Sequence, residues 1–190
     1  FLDLVCVGTA TQTEVEEQVD LMYSLIHQQV DAIVLVPIDS KALVQPVVEA
    51  VRKGVPVINI DIRLDTQLLE QAGVEVAFVG PDNFAAAYEV GKLLDKKLRN
   101  EDKVAIIEGL TAADNAQQRK RGFIKAIEEK GLRLVASEPA DWETEKAAEV
   151  FQAMWMRYPD LKAVYCSNDA MALGVLQQMQ EKNCYLPVVG

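Results

Sequence analysis

The residues best suited to chemistry fall where apolar runs give way to polar corners. Lys162-Ala163-Val164-Tyr165-Cys166 stops at Ser167-Asn168-Asp169, and a stretch rich in Ala, Met, Leu and Gln follows at once. Asp169 is placed to cap that following helix, which leaves the Asn168 amide, both donor and acceptor, to hold a polar ligand. The plainer alternative is that Asn168 and Asp169 serve only as turn and cap. Asp61 closes another apolar run with Arg63 two residues on, and Arg119 and Arg121 stand early in a helical stretch. Carboxylates and guanidinium groups present paired hydrogen-bonding positions, which match vicinal hydroxyls. Trp142, at a further corner, offers an aromatic face for the apolar side of a sugar ring. These are the ingredients of a site for a polyhydroxylated ligand. Taken singly, Arg119 also reads as a surface helix charge and Trp142 as partial core.

Several chemistries lack their residues. No Gly-x-x-x-x-Gly-Lys-Ser/Thr loop cradles a phosphate, no Gly-x-Gly-x-x-Gly follows a strand, and no Gly-x-Ser-x-Gly elbow presents a nucleophile. The single histidine, His27, lies mid-helix beside Ile26. Cys6, Cys166 and Cys184 are too dispersed for a metal cluster, and their odd number builds no disulfide framework. Cys6 and Cys166 instead fall inside apolar strands and read as small core residues. Carboxylate chemistry would need Asp61, Asp82 and Asp141 in one cleft. The expectation is therefore a binding protein, with no enzyme activity and no cofactor. A net charge of −10 disfavours a nucleic-acid surface. No apolar run approaches the roughly 20 residues of a membrane span.

These corners need elements to position them, and the chain alternates strand and helix throughout. Strands are expected at Leu2-Val7, Ala32-Val36, Pro56-Ile60, Val74-Val79, Lys103-Ile107, Leu132-Ser137, Leu161-Cys166 and Pro187-Val189. Helices are expected at Thr13-Gln29, Ser40-Lys53, Phe84-Leu98, Asn115-Lys130, Glu143-Tyr158 and Met171-Gln180, several of them ended by glycine. The continuous apolar runs at Ala32-Val36 and Pro56-Ile60 predict strands covered on both faces. Such alternation implies an α/β fold of doubly wound parallel sheets with right-handed crossovers, in which ligands bind at the strands' carboxyl ends. Phe1 opens almost directly into an apolar strand and Gly190 ends as another finishes, so the chain reads as incomplete at both ends.

In order along the chain, Ala32-Ile33-Val34-Leu35-Val36-Pro37 with Asp39-Ser40, Val55-Pro56-Val57-Ile58-Asn59-Ile60-Asp61, Val79-Gly80-Pro81-Asp82-Asn83, Arg119-Lys120-Arg121-Gly122-Phe123, Ala140-Asp141-Trp142 and Ser167-Asn168-Asp169-Ala170-Met171-Ala172-Leu173-Gly174 resemble the type I periplasmic binding protein family. The likeness is to its ribose-binding branch, whose fold is shared with lactose-repressor effector domains. The resemblance implies two lobes closing over a sugar at a hinge, here residues 1–80 and 81–190 with the crossing near Gly80-Pro81. It implies sugar contacts from Asp61, Arg119, Trp142 and Asn168, with Arg63 a further candidate. Ribose binders of the family carry Asp-Arg in direct succession, whereas Ile62 separates Asp61 from Arg63, and Val36 stands where they carry an Asn. The implied role is a monomeric receptor, periplasmic or lipid-anchored, that delivers a sugar or polyol to the membrane permease of an ABC importer without touching nucleic acid. The alternative is the ligand-sensing domain of a dimeric transcription regulator. A signal peptide or a helix-turn-helix upstream of Phe1 would separate the two.

Overall fold

A computed structural model describes residues 3–94 and 98–190. They form two compact units, one of residues 3–81 with Ala112–Asp114, the other of residues 82–94 and 98–111 with Asn115–Gly190.

The first unit runs α1 (Val15–His27), β1 (Ile33–Leu35), α2 (Val44–Arg52), β2 (Val57–Ile60), α3 (Thr66–Ala72) and β3 (Ala77–Val79). Its three strands are parallel in the order β1-β2-β3, with Ile33 beside Val57 and Ile58 beside Ala77. Met22 and Ile26 of α1 and Val44, Val47 and Val48 of α2 pack on Ile33, Leu35 and Val57. Helical spacing of four and strand spacing of two bring these residues to one face each.

Two strand expectations are corrected here. β1 and β2 are not covered on both faces, for Val34 is 63% exposed and Ile58 42% exposed. The helices described for this unit pack on one face, so the alternate residues stay open. Residues 3–7 of the Leu2-Val7 run form no strand; Leu2 lies outside the described residues. A strand exists only through its ladder, and these residues pair with no described neighbour. Cys6 is accordingly exposed, not a core residue.

The unit also contains an unexpected helix, α3. Asp65 caps it by accepting from the Leu68 N–H at 3.0 Å. Gly73, at φ 67°, ends it in the left-handed region that glycine enters without steric cost.

The second unit runs α4 (Asn83–Leu94), β4 (Lys103–Glu108), α5 (Asp114–Glu129), β5 (Arg133–Pro139), α6 (Thr144–Arg157), β6 (Ala163–Cys166), α7 (Asp169–Lys182) and β7 (Val188–Val189). The expected helix Phe84-Leu98 is described from Asn83 to Leu94, and residues 95–97 lie outside the described residues. The strands are parallel in the order β5-β4-β6-β7. Alternation decides which helices each strand residue meets. Ala105, Ile107, Val164 and Cys166 pack against α6 and α7, while Val104, Ile106, Ala163 and Tyr165 pack against α4 and α5. This sheet is covered on both faces and is doubly wound, as expected. Phe123 of α5 stacks on Tyr165, centroids 4.3 Å apart and planes 11° from parallel.

That coverage has a consequence in alkali. Burial pushes the Cys166 thiol up to about 12. Burial likewise raises the Tyr165 phenol to about 12, against the opposing pull of Arg119 and a bond to Ser167. The folded state keeps both protons after the unfolded chain has begun to release them. The contribution of these two groups to stability is therefore complete below about pH 9 and is lost as pH rises towards 12, by about 2 kcal/mol at pH 10. Urea midpoints at pH 8 and pH 10 measure the fall, and Tyr165→Phe should reduce it. An identical pH profile in that variant and the wild type would show that the phenol plays no part.

Candidate functional site

Three of the five residues singled out in the sequence meet in the second unit, at the carboxyl ends of β4, β5 and β6. Arg119 lies in the second turn of α5, and two neighbours fix its guanidinium. Its Nε donates to the Asn83 Oδ1 at 2.8 Å, and its Nη1 donates to the Ser167 carbonyl at 2.6 Å. Asn83 and Ser167 are 4% and 2% exposed, so both acceptors are held in the interior. A charged donor on buried neutral acceptors is a strong hydrogen bond, and two of them set the plane of the fork. The guanidinium carbon lies 5.7 Å from the Trp142 ring centroid, near the outer limit of a cation–π contact.

Trp142 reaches this place from an unusual turn. Asp141 and Trp142 have φ of 52° and 70°, two successive non-glycine residues in the left-handed region. The Asp141 carboxylate pairs with Lys146 in the first turn of α6. Strain of this kind persists only where its surroundings enforce it.

The expectation for the Asn168-Asp169 corner is corrected. Asn168, not Asp169, caps α7, its Oδ1 accepting from the Met171 N–H at 2.9 Å. Its Nδ2 stands 3.5 Å from the Trp142 carbonyl, a marginal bond, so the donor half of the amide points to the Trp142 side. Asp169 is the first helical residue and is exposed. Arg121, two residues beyond Arg119, is exposed as well, since a two-residue step turns it far round the helix.

Asp61 and Arg63 belong to the first unit. Asp61 follows β2 at φ 62°, with its N–H donating to the Val79 carbonyl at 3.0 Å. The Arg63 guanidinium lies 4.1 Å from the Phe78 ring centroid. Asp82 caps α4 through the Ala85 N–H at 2.9 Å. Asp82 and Asp141 thus each hold a structural partner. Among the described residues no group of three or more His, Cys, Asp or Glu side chains gathers as a metal site.

Sequence reasoning passed over Asn83, Gly109, Lys146 and the buried trio behind the site. In that trio Glu108, 5% exposed, accepts from Lys120 Nζ at 2.7 Å and from Ser137 Oγ at 2.5 Å. Asn83 ends the Val79-Gly80-Pro81-Asp82-Asn83 stretch, but only the fold carries it to a guanidinium 36 positions away. A cavity of about 210 Å³ lined by Thr144, Glu145, Ala148, Gln177, Gln178 and Glu181 contains none of the site residues.

Residues 2–189 match the family model described as the periplasmic binding protein domain. The chain is 42% identical over 178 residues to the D-ribose/D-allose-binding protein of Pseudomonas aeruginosa, covering 94% of this chain and 56% of that protein. It is 36% identical to the D-allose-binding periplasmic protein of Escherichia coli, covering 90% of this chain and 56% of that one. Among solved structures, an ABC transporter solute-binding protein from Burkholderia multivorans superposes with a TM-score of 0.92 at 42% identity, over 95% of this chain and 64% of that one. A periplasmic solute-binding protein from Actinobacillus succinogenes with bound D-allose gives 0.85 at 35% identity, over 95% and 63%. The chain thus spans a little over half the length of these curated relatives.

Proposed function

The chain belongs to the periplasmic binding protein domain family, in its ribose-binding-like branch, and from that premise we propose that it is part of a receptor that captures a sugar or polyol and passes it to an ABC importer. The observation that carries the reading is the Arg119 fork, fixed by Asn83 and Ser167 and held over Trp142 at the carboxyl edge of a parallel sheet. A fixed fork suits paired hydroxyls, and an indole face suits the apolar side of a sugar ring. Asn168 supplies its amide from the cap of α7. We extend the proposal to Asp61 and Arg63, on the strength of their place at the carboxyl end of β2. D-ribose and D-allose are the first ligands to try, because relatives sharing 42% and 36% of their residues with this chain are named for them.

On this reading the protein is not an enzyme, it acts outside the cytoplasmic membrane, and it works as a monomer whose macromolecular partner is the importer's permease. No helix among the described residues is long and apolar enough to cross a membrane. The transcription-regulator alternative is not favoured, because the relatives matched over most of this chain are transport receptors.

The test is thermal unfolding of the full-length protein with and without pentoses, hexoses and polyols. A ligand in several-hundredfold excess over its dissociation constant stabilises by about 3–4 kcal/mol. Flat midpoints across the whole panel would sink the sugar reading.

A further inference from the structure

We infer that Gly109 is a positioning residue for the Trp142 indole, so that the missing side chain at position 109 sets where the aromatic wall of the site stands. The inference rests on the sugar-receptor reading. Gly109 follows β4 directly, and a Cβ built on it would fall inside the contact distance of three carbons of the indole benzo edge, Cη2, Cζ2 and Cζ3. The ring's far edge is therefore seated against bare backbone. Its near end has little freedom either. The left-handed pair Asp141-Trp142 fixes the direction in which the side chain leaves the backbone. That turn is tied down by the Asp141–Lys146 ion pair and by the Ala140 N–H donating to the Glu108 carbonyl at 2.8 Å, one residue before Gly109. The same β4 corner thus anchors the turn that carries Trp142 and forms the seat for its ring. Any larger residue at 109 must swing the indole away, since the three atoms nearest such a Cβ all belong to the Trp142 side chain.

The test is Gly109→Ala in the full-length protein, made both in the wild-type background and with Trp142→Phe. Phenylalanine keeps an aromatic face but lacks the benzo edge that meets position 109. Calorimetry with D-ribose and D-allose reads affinity, and indole emission reads the ring's surroundings. Gly109→Ala should weaken binding by about 10-fold or more, the scale of a lost aromatic contact. It should also shift the indole emission, and both changes should disappear in the Trp142→Phe background. Lys146→Met should weaken binding in the same direction, with Lys146→Arg restoring it. Equal losses from Gly109→Ala in both backgrounds would overturn the inference, as would an unchanged emission. Should neither sugar bind the wild-type protein, the choice of these two sugars fails, while the receptor reading stands or falls with the wider panel. The emission comparison would still decide whether Gly109 seats the indole.

Discussion

Alanine at position 119 in the full-length protein should all but abolish sugar binding, with affinity falling by about 100-fold or more. The guanidinium is not a free surface charge. Asn83 and the Ser167 carbonyl hold its Nε and Nη1, which aims the rest of the fork while the flank facing Trp142 stays aromatic. On the receptor reading, losing it removes charge-assisted bonds to the ligand, and it takes a charged donor away from the buried Asn83 and Ser167 acceptors. Ligand-free stability should therefore fall as well, by about 1–3 kcal/mol. Lysine should not rescue binding, because a point charge cannot bridge two acceptors and two hydroxyls with fixed geometry. Calorimetry on Arg119→Ala and Arg119→Lys provides the check. If alanine binds within about 3-fold of the wild type, Arg119 is only a strut between α4 and β6.

The second large effect is on stability. Lys120→Met should cost about 3–5 kcal/mol, because it strands the Glu108 carboxylate in the interior. Glu108 is 5% exposed and accepts from Lys120 and Ser137 on the same oxygen, with the ammonium as its charged partner. The Lys120 side chain is 29% exposed, so part of its charge is already screened by solvent and the lower end of that range is the better figure. Replacing both partners, with Glu108→Gln joined to Lys120→Met, should recover much of the loss, since no buried charge remains. Urea unfolding of the two variants measures this. A loss below about 1 kcal/mol in the single variant would mean that the pair behaves as an exposed one.

The site is only half legible in the sequence. Arg119, Trp142 and Asn168 were marked by residue type and by their place after apolar runs, and both signals are local. What each one touches is not local. Asn83 holds Arg119 across 36 positions, and Lys146 reaches back to Asp141 from the next helix. The Asn168-Asp169 corner shows how narrow the margin is. Both residues are good caps, and the backbone entering α7 at Asn168 with φ −153° chose between them. Asp61 and Arg63 were marked by the same rule, yet Arg63 stacks on Phe78, a neighbour that its sequence spacing did not suggest.

What the sequence determined alone was the alternation of strand and helix, the parallel doubly wound sheet of the second unit and the corners that carry polar groups. Apolar periodicity, caps and glycine stops act over a few residues and survive without knowledge of neighbours. It also carried the family likeness, because that lies in the order of short motifs. Only the tertiary structure decided that residues 3–7 form no strand, that β1 and β2 have an open face, and that Gly109 seats an indole. Each of these depends on which surface meets which, and a chain read in one dimension holds apolar residues without saying what covers them. The short helix α3 lies between the two cases. Its Asp65 cap and Gly73 stop were present, but seven residues offer too little periodicity to stand out until Leu69 is seen packed in the core.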